Sequence, residues 1–349
     1  MISSNPADNL LAPDEAQRIF DKEILPRLLR NVRVGVDREE RPIAMLLTAQ
    51  PGAGKSTIAR RIQQTRAIND PMVFFDADGF RPYHPKYAEA KAHSWEIEDA
   101  VVLGDARRWF EMAFDALTEK GVDFIAETGM RPEVADRYLD RLADPPAPTE
   151  PYRTEVVILA TSPGESLLGM LDRYNEAVKQ IGYGRYPGEI EHNQRLSRLP
   201  ELGDQVDADQ RITGRRIYRR DGLFDYNKRD PETGAWSSTE PTRTVIARAQ
   251  ETRLTLPESR VFTDKLEQLA VDLGPDWASQ IENVKQAAAT IIHPAISIDP
   301  ALLEALGAVQ SGHEVAPGQS SSEKSATERE APFSDPTVGL EAGDAGAGI

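Results

Sequence analysis

The stretch Ile43-Ala44-Met45-Leu46-Leu47-Thr48-Ala49-Gln50-Pro51-Gly52-Ala53-Gly54-Lys55-Ser56-Thr57 decides how the rest of the chain is read. A short apolar run of strand length passes into a glycine-rich turn that closes on Lys-Ser and opens a helix. That order is what turns a short pattern into a phosphate cradle. Backbone amides of the loop and of the helix amino terminus would surround the β- and γ-phosphates of a nucleotide, and Lys55 would neutralise them. The Ser56 hydroxyl would ligate Mg²⁺, a hard cation that keeps several waters. Gln50, Pro51, Gly52, Ala53, Gly54, Lys55, Ser56 and Thr57 are therefore the candidate ATP-binding residues. Ala49 stands where the strict pattern has its first glycine, which an ordinary backbone conformation tolerates. The competing reading is a chance glycine-rich turn, and the flanking strand and helix count against it.

Outward from this loop the same alternation repeats. Strands are expected at Met72 to Phe75, Val122 to Ala126 and Glu155 to Ala160, and helices near Asp105 to Glu119, Glu133 to Leu142 and Glu165 to Lys179. Strands alternating with helices imply an α/β fold with a mostly parallel central sheet covered on both faces. Upstream, Ile19, Phe20, Ile24, Leu28 and Leu29 recur at helical spacing, and Pro26 should kink or split that helix. Downstream, the arginine-rich segment from Gly182 to about Asp225 reads as a mobile charged excursion, Arg243 to Ala249 as a late strand, and Asp264 to Ala289 as helix around Gly274-Pro275. Residues 1–40 form an amino-terminal helical segment in this reading, and residues 41–309 a P-loop kinase domain. Residues 310–349 carry seven acids against two bases and one aromatic residue, Phe333, too little apolar surface to offset chain entropy, so a disordered acidic tail is expected.

Composition narrows the partners. The 349 residues carry 41 basic and 57 acidic side chains, a formal charge of −16. That balance repels phosphate backbones and anionic lipid, which argues against duplex nucleic acid or a membrane surface as the main partner. A small anion remains possible in a locally basic pocket. With no cysteine there is no disulfide framework or thiolate chemistry. The sequence has no apolar run of bilayer length and no export signal within Met1 to Pro13, so the expected compartment is the cytoplasm.

Carboxylates follow the second expected strand in Val73-Phe-Phe-Asp76-Ala-Asp78-Gly-Phe-Arg81-Pro-Tyr-His84-Pro85. Open α/β sheets bind ligands at the carboxyl ends of their strands. A phosphoryl-transfer site asks mainly for positioning and charge neutralisation, plus a carboxylate to take the acceptor's hydroxyl proton. Asp78 is the candidate base and Asp76 the candidate Mg²⁺ ligand, although the two roles are exchangeable on sequence alone. Both acids would otherwise be loop caps. His84, before Pro85, reads as a loop-fixing residue because no other His or Cys lies at metal-ligand spacing.

These residues resemble the zeta toxins, P-loop small-molecule kinases of bacterial toxin–antitoxin systems. The resemblance rests on Gln50 to Ser56, Asp76-x-Asp78-x-Phe80 with His84-Pro85, Ile125-Ala-Glu127-Thr-Gly-Met-Arg131, Leu168-Gly-Met-Leu-Asp-Arg173-Tyr174, and Arg185 followed by His192. It spans about Glu15 to Phe224. It implies a three-layer P-loop kinase fold that moves the ATP γ-phosphate to the 3′-hydroxyl of the amino sugar of UDP-N-acetylglucosamine or a related UDP-sugar. It further implies Asp78 as base, Lys55 on the phosphates, Glu111, Glu127, Thr128 and Arg131 toward the sugar, Arg173 and Arg185 as a clamp on the transferring phosphate, and a small antitoxin as partner. The family commonly writes Glu-Gly-Thr where this chain has Glu127-Thr128-Gly129.

Two other functions compete on the residues alone. One is a P-loop kinase for another hydroxyl, such as an NAD ribose, an antibiotic or a polynucleotide end, the last disfavoured by the acidic balance. The other is a nucleotide-sensing binding protein that transfers no phosphate, in which Asp78 would be dispensable.

Overall fold

The computed structural model describes residues 9–30, 32, 40–66, 71–129 and 132–296. The expected tail at 310–349 and the candidate Arg131 lie outside the described residues. Among the described residues six strands form one sheet: β1 (Ile43–Thr48), β2 (Val73–Phe75), β3 (Phe124–Glu127), β4 (Arg153–Leu159), β5 (Ile212–Arg219) and β6 (Gly222–Lys228), in the order β2-β3-β1-β4-β5-β6. The first five are parallel and β6 returns antiparallel along β5. The helices are α1 (Pro13–Ile19), α2 (Leu25–Leu28), α3 (Lys55–Thr65), α4 (Tyr87–Lys91), α5 (Trp95–Glu119), α6 (Pro132–Ala143), α7 (Pro163–Ile181), α8 (Glu189–Ser197), α9 (Leu199–Ala208), α10 (Thr242–Glu251), α11 (Leu256–Leu273) and α12 (Ala278–Ala288).

The central strand β1 is buried at all six positions, and the period of two sends its side chains to opposite faces. Ala44 and Leu46 join the larger core with Trp109, Phe114 and Phe124, whereas Met45 and Leu47 meet Ile58 and Ile62 of α3. A third apolar cluster joins α7 to α11 and α12 through Leu171, Phe262, Leu266 and Ile281. Ile19, Phe20 and Ile24 of the amino-terminal helix belong to the larger core, and Trp109 Nε1 donates to the Ala16 carbonyl at 2.9 Å. Pro26 is accommodated by a π-helical turn, Phe20–Ile24, between α1 and α2, because proline cannot supply an amide hydrogen to a regular ladder.

Two expectations are corrected. Arg243 to Ala249 is helical, within α10. Its β-branched residues suggest a strand, but the buried positions are Thr242, Val245, Ile246 and Ala249, the spacing of one helix face. The segment from Gly182 to Asp225 is no excursion either, since it supplies α8, α9, β5 and most of β6. Its arginines are taken up by partners: Arg211 pairs with Asp136 and Asp209, Arg216 with Glu155, and Arg215 is fully buried beside Asp225. Charge density alone mistakes such a strand for a solvated loop.

Candidate functional site

The loop between β1 and α3 is held to the β4–α7 junction by side chains from both sides. Gln50 Nε2 donates to the Thr161 carbonyl at 2.8 Å and the Ser166 hydroxyl at 3.2 Å, and the Thr161 hydroxyl donates to the Ala53 carbonyl at 3.0 Å. Ala49 and Ala53 pack in the same small core as Ile58, which explains a small apolar residue at the first glycine position. Gly52 has φ +74°, and a Cβ there would stand 2.0 Å from the Ser166 carbonyl oxygen. Loop and helix therefore touch backbone to backbone. Gly54, φ +99°, is the opposite case, with no atom within 4 Å of a built Cβ. That open side, at the amino terminus of an 11-residue helix with Ser56 and Thr57 exposed, suits a phosphate chain.

Two carboxylates meet Lys55 from the carboxyl ends of β2 and β3, Asp76 through its field and Glu127 by contact, and Asp78 lies beside them. Lys55 Nζ lies 3.4 Å from Glu127 Oε1 and donates to the Gln50 carbonyl at 3.4 Å. Glu127 ends β3 opposite Leu47 of β1, so register alone carries it to the loop. Burial pushes its carboxyl above the usual range; Lys55 pulls it back, and Asp76 and Asp78 push it further up. Burial likewise raises Asp76, against the Gly79 amide that donates to it at 2.5 Å and against Lys55 and Arg173. Asp78 goes the other way. Burial would raise it, but Arg81, Arg185 and Arg173 outweigh that and hold it below the usual carboxylate range.

Arg81 is the residue that sequence reasoning left without a role. A 3₁₀ turn, Asp78–Tyr83, places it three residues beyond Asp78, and its Nε donates to Asp78 Oδ1 at 2.8 Å. Its Nη1 reaches Glu98 at 3.2 Å and Asp99 at 2.5 Å, both near the amino-terminal end of α5, and its side chain is only 8 % exposed. The i, i+3 spacing of Asp78 and Arg81 was the available signal. The two α5 carboxylates that complete the contact are far away in sequence.

Arg185 sits on the connection between α7 and α8, 3.5 Å from Asp99 and with its guanidinium over the Trp95 ring. Arg173, on α7, is exposed and acts electrostatically on both Asp76 and Asp78. Thr128 donates its amide to the Leu47 carbonyl at 2.9 Å, while its buried hydroxyl has no hydrogen-bond partner. Glu111 is placed apart from this group. Its carboxylate accepts from Arg137 at 2.6 Å, the Tyr138 hydroxyl at 2.7 Å and Arg141 at 2.8 Å, all on α6. His84 is fully buried, 3.5 Å from Asp105, and accepts from the Lys86 amide, which fixes the turn after Asp78.

The donor set suits a magnesium nucleotide. Among the described residues no three His, Asp or Glu side chains form a metal cage. Mg²⁺ asks for less, one or two protein oxygens plus phosphates and waters. The exposed Ser56 hydroxyl and the Asp76 carboxylate, whose ionised form burial disfavours, are oxygens of that kind.

A parallel sheet of order 2-3-1-4-5, a phosphate loop after its first strand and carboxylates at the ends of the neighbouring strands define a P-loop kinase-like α/β protein. The zeta toxin family model matches residues 27–230, more than half of the 349, and the chain belongs to that family. Among curated proteins it is similar to toxin PezT of Streptococcus pneumoniae, 26 % identical over 215 residues that cover 61 % of this chain and 83 % of that one. It is also similar to toxin zeta of Streptococcus agalactiae, 26 % identical with 59 % and 71 % covered. A chain solved in the structural characterisation of the PezAT chromosomal toxin–antitoxin system of Streptococcus pneumoniae superposes with a TM-score of 0.57, at 22 % identity, over 75 % of this chain and 98 % of its own. That likeness is one of fold. No helix among the described residues is long and apolar enough to cross a membrane.

Proposed function

We propose that this chain is the toxin of a toxin–antitoxin system and an ATP-dependent kinase that phosphorylates the 3′-hydroxyl of the amino sugar of UDP-N-acetylglucosamine or a related UDP-sugar. One observation carries the phosphotransfer reading: Asp78, outside the P-loop, is held ionised by Arg81 at the sheet edge where Lys55 lies, with Arg173 and Arg185 facing it. Family membership and the similarity to PezT and zeta toxins support the acceptor class and a small protein antitoxin as partner.

In this reading Asp78 accepts the proton of the acceptor hydroxyl as its oxygen bonds to the γ-phosphorus and the bond from that phosphorus to the ADP oxygen breaks. Gln50 to Thr57 cradle the phosphates. Lys55 binds them, and Arg173 and Arg185 meet the charge that spreads over the equatorial oxygens. Ser56 and Asp76 would hold Mg²⁺, which would supply neutralisation of the phosphate charge. The Glu127 carboxylate beside Lys55, the unpartnered Thr128 hydroxyl and Arg131 are assigned to the acceptor. Glu111 is kept in this group on resemblance, and engaging it requires exchange of its α6 partners.

The test is incubation with Mg-ATP and a panel of UDP-sugars, NAD, aminoglycosides and RNA, read by mass spectrometry. Gain of one phosphate on a UDP-sugar is expected. Gain on NAD, an antibiotic or RNA alone would replace the acceptor, and ATP binding with no transfer to any of them would favour a nucleotide-sensing protein.

A further inference from the structure

The two arginines assigned to the phosphate are each followed by a tyrosine, Tyr174 and Tyr186, and both tyrosines pack on one tryptophan from the carboxyl-terminal helices. Trp277 lies in the 3₁₀ turn Pro275–Trp277 that joins α11 to α12. Its ring centroid is 4.5 Å from that of Tyr174 and 5.0 Å from that of Tyr186, the latter edge-on, and the tyrosines are themselves 6.3 Å apart. Such pairs contribute beyond the area they bury, and rigid rings fix direction as well as distance.

The connection that bears Arg185 has no helix or strand of its own between α7 and α8. It is tied on one side by Tyr183, whose hydroxyl donates to the Lys91 carbonyl of α4, and on the other by Tyr186 on Trp277. Its far end is fastened to the same helices, because Asn283 Nδ2 of α12 contacts both carboxylate oxygens of Glu189 at 2.8 and 2.7 Å. Beneath it α7 is joined to α11 by Asn175 and Lys179 on Asp272, at 2.9 and 2.7 Å. The matched family region ends at residue 230, so every one of these carboxyl-terminal partners lies beyond it.

We infer that Trp277 is a positioning residue for phosphoryl transfer, holding the Arg185 connection against α7 so that Arg173 and Arg185 act on the same phosphate. The inference rests on the reading of those arginines given above. The physical reason is that a group on an irregular connection keeps its aim only through such contacts, and a misplacement of about 1 Å can cost about a hundredfold in rate.

The experiment compares Trp277→Ala, Trp277→Phe, Tyr186→Ala, Arg185→Ala and the Trp277→Ala/Arg185→Ala double variant in the full chain. Two readouts are taken: steady-state transfer from Mg-ATP, and the rate of tryptic cleavage after Arg185, mapped by mass spectrometry. Trp277→Ala should lower kcat by about tenfold or more with little change in the KM for Mg-ATP, Trp277→Phe should restore most of it, and the loss should largely vanish in the Arg185→Ala background. Cleavage after Arg185 should accelerate in Trp277→Ala and Tyr186→Ala while the rates at other sites stay as in the parent chain. Equal costs with and without Arg185, or unchanged kcat and cleavage, would overturn the inference. If Arg185→Ala itself leaves kcat untouched, it is the clamp reading that fails, and the cleavage rates still decide whether Trp277 holds the connection. Should Trp277→Ala fail to fold, Tyr186→Ala and Trp277→Phe carry the same comparison.

Discussion

At the residue scale the site is a set of carboxylates pushed apart in proton affinity. Asp78 is held low by Arg81 and exposed to an acceptor, which suits a base, while burial holds Glu127 and Asp76 high. Asp78→Asn should leave ATP affinity by calorimetry unchanged and lower product formation by about 10²- to 10⁴-fold, the usual worth of a positioned base. The sign for Glu127 runs the other way from that of a salt-bridged carboxylate in a stable core. With its folded pKa raised above the ordinary 4.5, the ligand-free protein binds this proton more tightly than the unfolded chain does, so stability falls as pH rises from 4.5 through the raised value. Glu127→Gln should remove that penalty: at pH 7 its melting temperature should rise by about 2–4 °C for each kcal/mol recovered, and its phosphoryl transfer should fall. A melting temperature that drops instead would mean that the Lys55 pairing outweighs burial.

At the element scale the P-loop and α7 are one unit. A Cβ at Gly169 would stand 2.4 Å from the Gly52 carbonyl oxygen and 2.2 Å from Arg220, whose Nη2 donates to that same carbonyl. Gly169→Ala should therefore lose about 1–3 kcal/mol of stability, as overpacking does, and weaken nucleotide binding, both readable in chemical denaturation and calorimetry. Unaltered binding would show that α7 can retreat without disturbing the loop. Most elements were legible in the chain because each carries its own periodicity, and the alternation around β1 made the parallel sheet expected. The exceptions have local causes. The Val245-Ile246 pair of α10 imitates a strand, and Arg211 just before β5 and Arg216 within it imitate a solvated loop until the acids of α6 and β4 are brought to them.

At the scale of the whole molecule, a chain of charge −16 is proposed to bind two anions. The sheet edge resolves the conflict by gathering Lys55, Arg81, Arg173 and Arg185, each from a different segment, about Asp76 and Asp78. Saturating Mg-ATP should stabilise the protein, by about 2.7 kcal/mol at a hundredfold excess over Kd, and Lys55→Ala should abolish the thermal shift. Double-stranded DNA should not compete, because the net charge opposes a polyanion even where a small phosphate finds a basic pocket.

By itself the sequence determined what is contiguous. The loop Gln50 to Thr57, the strand before it, the helix after it and the paired acids Asp76 and Asp78 are all carried within a few residues, where glycine placement, apolar runs and turn chemistry act without help from the rest of the chain. Only the tertiary structure decided the partners: that Arg81 locks Asp78 by way of α5, that Glu111 turns to α6, and that Trp277, 92 residues beyond Arg185, stands against its neighbouring tyrosine. Ion pairs and ring contacts of that kind depend on distances set by how whole elements pack, and no local pattern in a chain encodes which of many equivalent charges will meet.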